Sequence, residues 1–445
     1  MESSGVKGGK SGTTGKEVWN VVILSLSFTS VFTAYLAIQN LQSSLNQEEG
    51  LGIISLSCLY AFIILSSIMA PTILKHVGIK ISLIVSWVSH CLYTLSNFYP
   101  TFWTLIPTSV LLGLISGPMW TSQSVYISTN AYLLAERTNK DPMPILSRMN
   151  GIFFTLYELT QITGNLLSSL VLKEGLGNET TTDNSSLTCG ADDCPLSVNA
   201  TSIKEPESKV VYILLSVFLV FDILGLILTA VFLQAPPKTE WSERSSTKES
   251  LLACVSALGD INLVLLVPFI AIMAMEQAVL WTDFTKSFIS CPVGIGMVGF
   301  IMATYGGTTT LSALITSRIS KYTGRHILFA LAAIINGSLF VSMLVWRPDK
   351  HHLPYLFVMV VFWGLAEGIW QTQSNAVIAL FFPDKKEPAF ANYHCWKASS
   401  FTVYFVISNF LCVHTKLVLV LVLLCIGMIL YAVVEIRVYR RNKEN

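Results

Sequence analysis

ISLIVSWVSHCLYTLSNFYPTFWTLIPTSVLLGLISGPMWTSQSVYISTNAYLLA, residues 81–135, contains no Asp, Glu, Lys or Arg. A helix that crosses a bilayer needs about 20 apolar residues, because ~30 Å of hydrocarbon is covered at ~1.5 Å per residue. This stretch is long enough for two crossings, with a turn at Asn97–Pro100 between them. Working outward, residues 18–47, 51–74 and 287–317 are also free of charge. The runs are long and lack the alternation of outer-membrane barrel strands, so helices are the spanning element. The whole chain reads as twelve spans: 18–40, 51–74, 80–98, 103–134, 145–171, 210–234, 260–282, 293–317, 326–346, 354–382, 389–412 and 416–436.

Composition agrees. Of the 445 residues, 52% are hydrophobic and 12% charged, against about 25% charged in soluble domains, and the mean hydropathy is +0.60. So few charges cannot clothe a soluble surface of this size, which makes the lipid bilayer the first partner. A net charge of +1 gives no electrostatic footprint for nucleic acid. The nine cysteines show no metal-ligand spacing, and no cofactor motif is found. The first apolar run, from Val18, exceeds a signal-peptide core and lacks a small-residue cleavage site, so it is read as a retained first helix.

The expected organisation is a disordered cytoplasmic N-terminus (1–17), a six-helix half (18–234), a linker (235–259) containing Pro236-Pro237, a second six-helix half (260–436) and a short tail (437–445). The first half carries a polar loop at 172–209. Twelve crossings place both termini on one side. With that side cytosolic, 20 of the 28 Lys and Arg residues fall inside and seven outside, as the positive-inside rule requires. The 172–209 loop, outside on this count, holds three glycosylation sequons, at Asn178, Asn184 and Asn199. Asn336-Gly-Ser338 also matches, but lies within an apolar span beyond reach of the glycosylation machinery. Cys189 and Cys194 share the 172–209 loop, and an oxidising compartment favours a disulfide between them.

The halves are internally similar. Lys75-His-Val-Gly78 recurs as Lys321-Tyr-Thr-Gly324, and Trp120-Thr-Ser-Gln123-Ser124 as Trp370-Gln-Thr-Gln373-Ser374. Parallel six-helix repeats are the organisation of the major facilitator superfamily. The short basic loop after helix 2 resembles that superfamily's signature, without its acidic residue and arginine pair. Gly294-Ile-Gly296-Met-Val-Gly299 formally matches a dinucleotide fingerprint but opens an apolar span and follows no strand. Like Gly113/Gly117 and Gly364/Gly368, these glycines read as places where helices approach closely. No protease, P-loop or hydrolase motif is present, and the expected activity is not enzymatic.

Charges inside the spans are the candidate functional residues, because each costs at least about 2.5–3.5 kcal/mol at the bilayer centre unless paired or hydrated. They are Glu158, Asp222, Glu276, Glu367 and Lys397. In the superfamily's arrangement helices 1, 4, 7 and 10 line a central cavity, which places Glu276 and Glu367 beside Tyr35, Gln39, Trp120 and Gln123. Gln371 and Gln373 lie on helix 10 with Glu367. Matching depths along neighbouring helices suggest that Lys397 pairs with Glu367, with Glu158 on helix 5, at a similar depth in the other half, as the alternative partner. These charges serve either a polar path or the locking of helices; Asp222, on a peripheral helix, has no evident role.

Several strings are specific in combination: Leu41-Gln-Ser-Ser-Leu45, Glu48-Glu-Gly-Leu-Gly52, Leu105-Ile-Pro-Thr-Ser109, Thr188-Cys-Gly-Ala-Asp-Asp-Cys194, Phe390-Ala-Asn-Tyr393 with Trp396, and Phe410-Leu-Cys-Val-His414. They resemble the Unc-93 family, closest to its homolog A branch, from about Val18 to Glu435. The resemblance implies an all-α major facilitator fold. It further implies a regulator or binding partner of other membrane proteins, such as a potassium channel or a receptor, with transport of a small polar solute as the alternative. The expected residence is the plasma membrane, with an endolysosomal membrane second. The sequons give a first prediction: glycosidase treatment of the protein from a glycosylating host should increase its gel mobility, and N178Q/N184Q/N199Q should abolish the change. An unshifted wild-type band would overturn the orientation.

Overall fold

The computed structural model describes residues 15–46, 48–140, 142–176, 189–194, 207–235, 261–381 and 386–444. The three sequons, nearly all of the 235–259 linker and residues 1–14 lie outside these. Among the described residues twelve long helices follow one another: α1 (Lys16–Leu45), α2 (Leu51–Val77), α3 (Ile79–Ser96), α4 (Phe102–Thr138), α5 (Pro142–Leu176), α6 (Ser208–Ile227), α7 (Ile261–Val279), α8 (Val298–Thr323), α9 (Arg325–Val345), α10 (Leu353–Phe381), α11 (Lys386–Ser408) and α12 (Val413–Glu444).

The chain breaks between helices where the sequence demands it. Thr101 caps α4, exchanging hydrogen bonds with Thr104 in a capping box. The repeated basic loops end on Gly78 and Gly324, at φ 84° and 76°, a left-handed conformation that only glycine adopts without strain. Two expected boundaries move. α7 does not stop near residue 282; it widens into π-helical geometry over Leu280–Ser290. α12 runs on through the expected tail to Glu444.

The two halves pack alike. α2 lies on α4 as α8 lies on α10, α1 on α5 as α7 on α11, and α1 on α6 as α7 on α12. Small residues set the closest of these contacts. A Cβ added at Gly117 would meet the Ser66 backbone at 2.5 Å, and one at Gly368 would meet Ser312 Cβ at 2.5 Å. Ser66 and Ser312 complete the match, each sending its hydroxyl to a carbonyl of the facing helix: Gly113 at 2.8 Å and Leu365 at 2.7 Å. Without a hydrophobic drive between helices in lipid, such close backbone approach supplies the packing energy.

The exterior is apolar: Val231 is 67% exposed, Ile334 66% and Val345 80%. Such a surface suits hydrocarbon, where helices satisfy their own backbone groups. Among the described residues, ten helices are long and apolar enough to cross a membrane. α5 and α11 fall short, and these are the two that join the halves, α5 against α8 and α11 against α2.

Overpacking a close contact costs about 1–3 kcal/mol or more. Gly117→Val and Gly368→Val should each lower the thermal unfolding temperature of detergent-purified protein. Gly337→Ala, whose new methyl meets only Leu424 Cδ2 at 3.6 Å and Leu421 Cδ1 at 4.0 Å, should leave it near wild type. Equal effects at all three positions would count against the packing described.

Candidate functional site

The seam between the halves is polar. Ser169 on α5 accepts from the Phe300 N–H of α8 at 2.9 Å, and beside it Asn165 of α5 accepts from Asn40 of α1, in the same half, at 2.9 Å. Gly299 rests on the Asn165 carbonyl, so the glycine of the apparent dinucleotide fingerprint serves helix approach. On the other seam Tyr60 of α2 packs against Phe401 and Phe405 of α11, and Trp281 stacks on Phe401 at an interplanar angle of 6°.

Glu158 of α5, Glu367 of α10 and Glu276 of α7 all lie within electrostatic range of the Tyr305 hydroxyl of α8. Glu367 is buried and accepts from Gln277 Nε2 of α7. Glu158 is half-buried and faces Glu367. Glu276 differs from the sequence-based expectation. It does not line the space between the halves but is fully buried inside the second half, where one of its oxygens accepts from Asn336 of α9 (3.2 Å) and from the Trp363 indole of α10.

The expected Lys397–Glu367 ion pair is not formed. Lys397 is half-buried, feels Glu276 rather than contacting Glu367, and makes no ion pair among the described residues. Depth along a helix fixes height in the bilayer but not the direction in which a side chain points. Asp222 finds an explanation: it is fully buried and accepts from Thr94 of α3 at 2.6 Å, which ties α6 to α3.

The polar and aromatic candidates divide. Trp120 joins an aromatic cluster with Phe28, Phe32 and Tyr157, a packing role. Tyr35 lies edge-on to His90. Gln39 is buried, and neither of its amide atoms has a hydrogen-bond partner. Gln123 is buried and accepts from Ser124 at 3.1 Å. Gln371 is half-buried; Gln373 is buried and donates weakly to Thr372 at 3.4 Å.

One end of the second half is clamped by residues 189–194. The expected Cys189–Cys194 bridge is replaced by Cys189–Cys291, at the end of α7, and Cys194–Cys412, in the turn between α11 and α12. A single 3-10 turn, Gly190–Asp192, separates the two cysteines and presents them to different helix ends. Closing a loop of ~100 residues removes more unfolded-state entropy, about 4.7 kcal/mol in the chain-entropy model, than closing a short one. Asp193 is buried beneath the clamp, bonded to Ser287 (2.6 Å), Lys286 (3.3 Å) and the Val413 N–H (3.0 Å). Asp192 reaches Arg347 at 3.4 Å.

The π-helical end of α7 is a hub that sequence reading missed. Asp283 accepts from Lys416 of α12 and from the Tyr404 hydroxyl of α11, all three buried. The signal was available: Leu280, Phe284 and Phe288 continue the apolar helical spacing past residue 282. The same segment meets α1, through Ser43 with Thr282 (3.3 Å) and Ser44 with Ser290 (3.0 Å). The Gly50 turn abuts Asn409, so this end of the seam is closed. At the opposite end, Arg137 pairs with Glu17 at 2.7 Å and Arg325 with Glu435 at 2.7 Å.

Two equivalent six-helix halves, joined by polar helices around intramembrane carboxylates, define a polytopic membrane protein of major facilitator fold. Solved structures of that fold superpose on it. The nucleoside transporter NupG gives a TM-score of 0.63 at 10% identity, covering 94% of this chain and 99% of that one. A D-xylose-proton symporter gives 0.61 at 12%, covering 94% and 96%. At such identities the likeness is one of fold. The description "Ion channel regulatory protein UNC-93" matches residues 44–432. Protein unc-93 homolog A of Xenopus laevis is 38% identical, and that of Homo sapiens 37%, each alignment covering 94% of this chain and 93% of the relative. The chain belongs to the UNC-93 family. A Caenorhabditis elegans relative named "Putative potassium channel regulatory protein unc-93" is 27% identical over 94% of this chain and 60% of its own length.

Breaking a buried ion pair by removing one partner costs about 3–5 kcal/mol, because the other charge stays buried. Asp283→Asn should therefore lower the unfolding temperature sharply, and adding Lys416→Met should recover much of the loss. A double variant no better than Asp283→Asn alone would show that the pair is not dry.

Proposed function

We propose that this protein is a non-enzymatic regulator of a partner membrane protein, an ion channel in the first instance. The observation that carries this reading is the match of residues 44–432 to a family described as ion channel regulatory proteins, together with the name of the worm relative. The geometry supports it. The clamp binds α7, the α9–α10 turn and the α11–α12 turn into one rigid unit, and the adjoining end of the seam is sealed by α1 against α7. A fixed scaffold with a wide apolar exterior can present a lipid-facing surface to a channel without itself cycling. The clamped end is assigned to the extracellular or lumenal side. Disulfides persist in oxidising compartments, and both the charge bias and the sequons favour that side. Both termini are then cytosolic, and the plasma membrane is the assigned residence.

A second reading, secondary transport of a small polar solute, has in its favour the carboxylates Glu158 and Glu367 facing each other across the seam. The two are separated by one comparison. The protein is co-expressed with a panel of potassium channels under voltage clamp, and reconstituted alone into vesicles for uptake of a polar solute panel. Regulation predicts a current changed several-fold for at least one channel and uptake at the level of empty vesicles. Saturable uptake that is lost in Glu367→Gln, with all currents unchanged, would favour the transporter.

A further inference from the structure

Inside the second half, hydrogen-bond donors run out before acceptors do. Glu276, Asn336 and Trp363 are at most 1% exposed. Trp363 Nε1 and Asn336 Nδ2 both donate to the same oxygen, Glu276 Oε2. The other carboxyl oxygen, Glu276 Oε1, receives no donor, and neither does Asn336 Oδ1, while the Glu367 carboxyl lies within hydrogen-bond reach of the Glu276 carboxyl. Gln277 Nε2 of α7 donates to Glu367 Oε1 and not to Glu276. Buried polar atoms in native structures are almost always satisfied, so two adjacent orphan acceptors call for an occupant.

Charge sets the valence of that occupant. The groups facing Glu276 are Glu367 from α10 and Lys397 from α11, with the Tyr305 hydroxyl of α8 beside them and Glu158 of α5 beyond Glu367. Two carboxylates against one ammonium leave a single negative charge in the innermost group. One positive charge balances it, and a divalent ion would overshoot.

We propose that Glu276 and Asn336, backed by Glu367, form a binding site for one compact monovalent cation, a proton or an alkali ion. A proton on Glu276 Oε1 turns an orphan acceptor into a donor, with the Asn336 and Glu367 oxygens as its acceptors. An alkali ion satisfies the two orphans as hard oxygen ligands, the kind such ions take. The site goes beyond channel regulation: it gives the second half a bound ion whose loss leaves two acceptors bare between α7, α9 and α10.

The experiment is thermal unfolding of the full chain in detergent micelles, in two arms. The first varies pH from 5 to 9 in choline chloride with no alkali ion. The second replaces choline by sodium or potassium at fixed pH. Wild type should gain several degrees in at least one arm: at low pH if the occupant is a proton, in sodium or potassium if it is an alkali ion. Glu276→Gln puts an amide donor where the occupant sits, so the responding arm should flatten. Asn336→Ala, which removes one orphan oxygen, should weaken the response and serves if Glu276→Gln does not fold. Glu158→Gln should keep it. The proposal fails if neither arm moves wild type, or if Glu276→Gln or Asn336→Ala responds as wild type does.

Discussion

Polar side chains on a membrane helix must be kept out of hydrocarbon, and the fold rests on how two helices meet that demand. α5 carries Glu158, Gln161 and Asn165, and α11 carries Lys397, Ser400 and Ser408. Neither can turn such a face to lipid without large cost. Each is placed at the seam, α5 on α8 and α11 on α2, where the opposite half covers it. The remaining helices can then face the bilayer with valine, leucine and isoleucine. The two-fold likeness of the halves follows, since each half contributes one polar helix and one acceptor for its partner's.

The second half departs from this symmetry. It adds a buried ion pair, Asp283 with Lys416, and a fully buried carboxyl, Glu276. It also receives a clamp from the first half's own loop, held by two disulfides and by the buried Asp193. All but Glu276 gather on the π-helical end of α7, which also seals against α1. Buried polar contacts of this kind contribute little net stability over apolar packing, but breaking one is costly. In this chain they fix which helix ends may move together, the property that a scaffold for a partner protein requires.

Much of the architecture was legible in the sequence. Charge-free runs marked the spans, and the recurrence of Lys75–Gly78 at Lys321–Gly324 and of Trp120–Ser124 at Trp370–Ser374 marked the halves. The reason is that hydrocarbon imposes a one-dimensional rule, about twenty apolar residues per crossing, that can be read without knowing any contact. The candidate site was legible only in part. Glu158 and Glu367 were picked out as intramembrane charges, but that the two lie within electrostatic range of each other was not read from the sequence. Glu276 was put on the cavity side of α7 but lies on the other. Asp283 lies one residue past the span read as 260–282, although the apolar spacing of Leu280, Phe284 and Phe288 continues through it.

By itself, then, the sequence determined that this is an all-helical membrane protein in two related halves, which residues carry intramembrane charge, and the strings that mark its family. Only the tertiary structure decided the partners: Cys189 with Cys291, Cys194 with Cys412, Asp283 with Lys416, Asp222 with Thr94, and Glu276 with Asn336 and Trp363. The difference is physical. Transfer from water to lipid acts on each residue by its own chemistry and is nearly additive along the chain. A disulfide, an ion pair or a hydrogen bond depends on the rotation of two helices about their axes, which packing of the whole bundle sets.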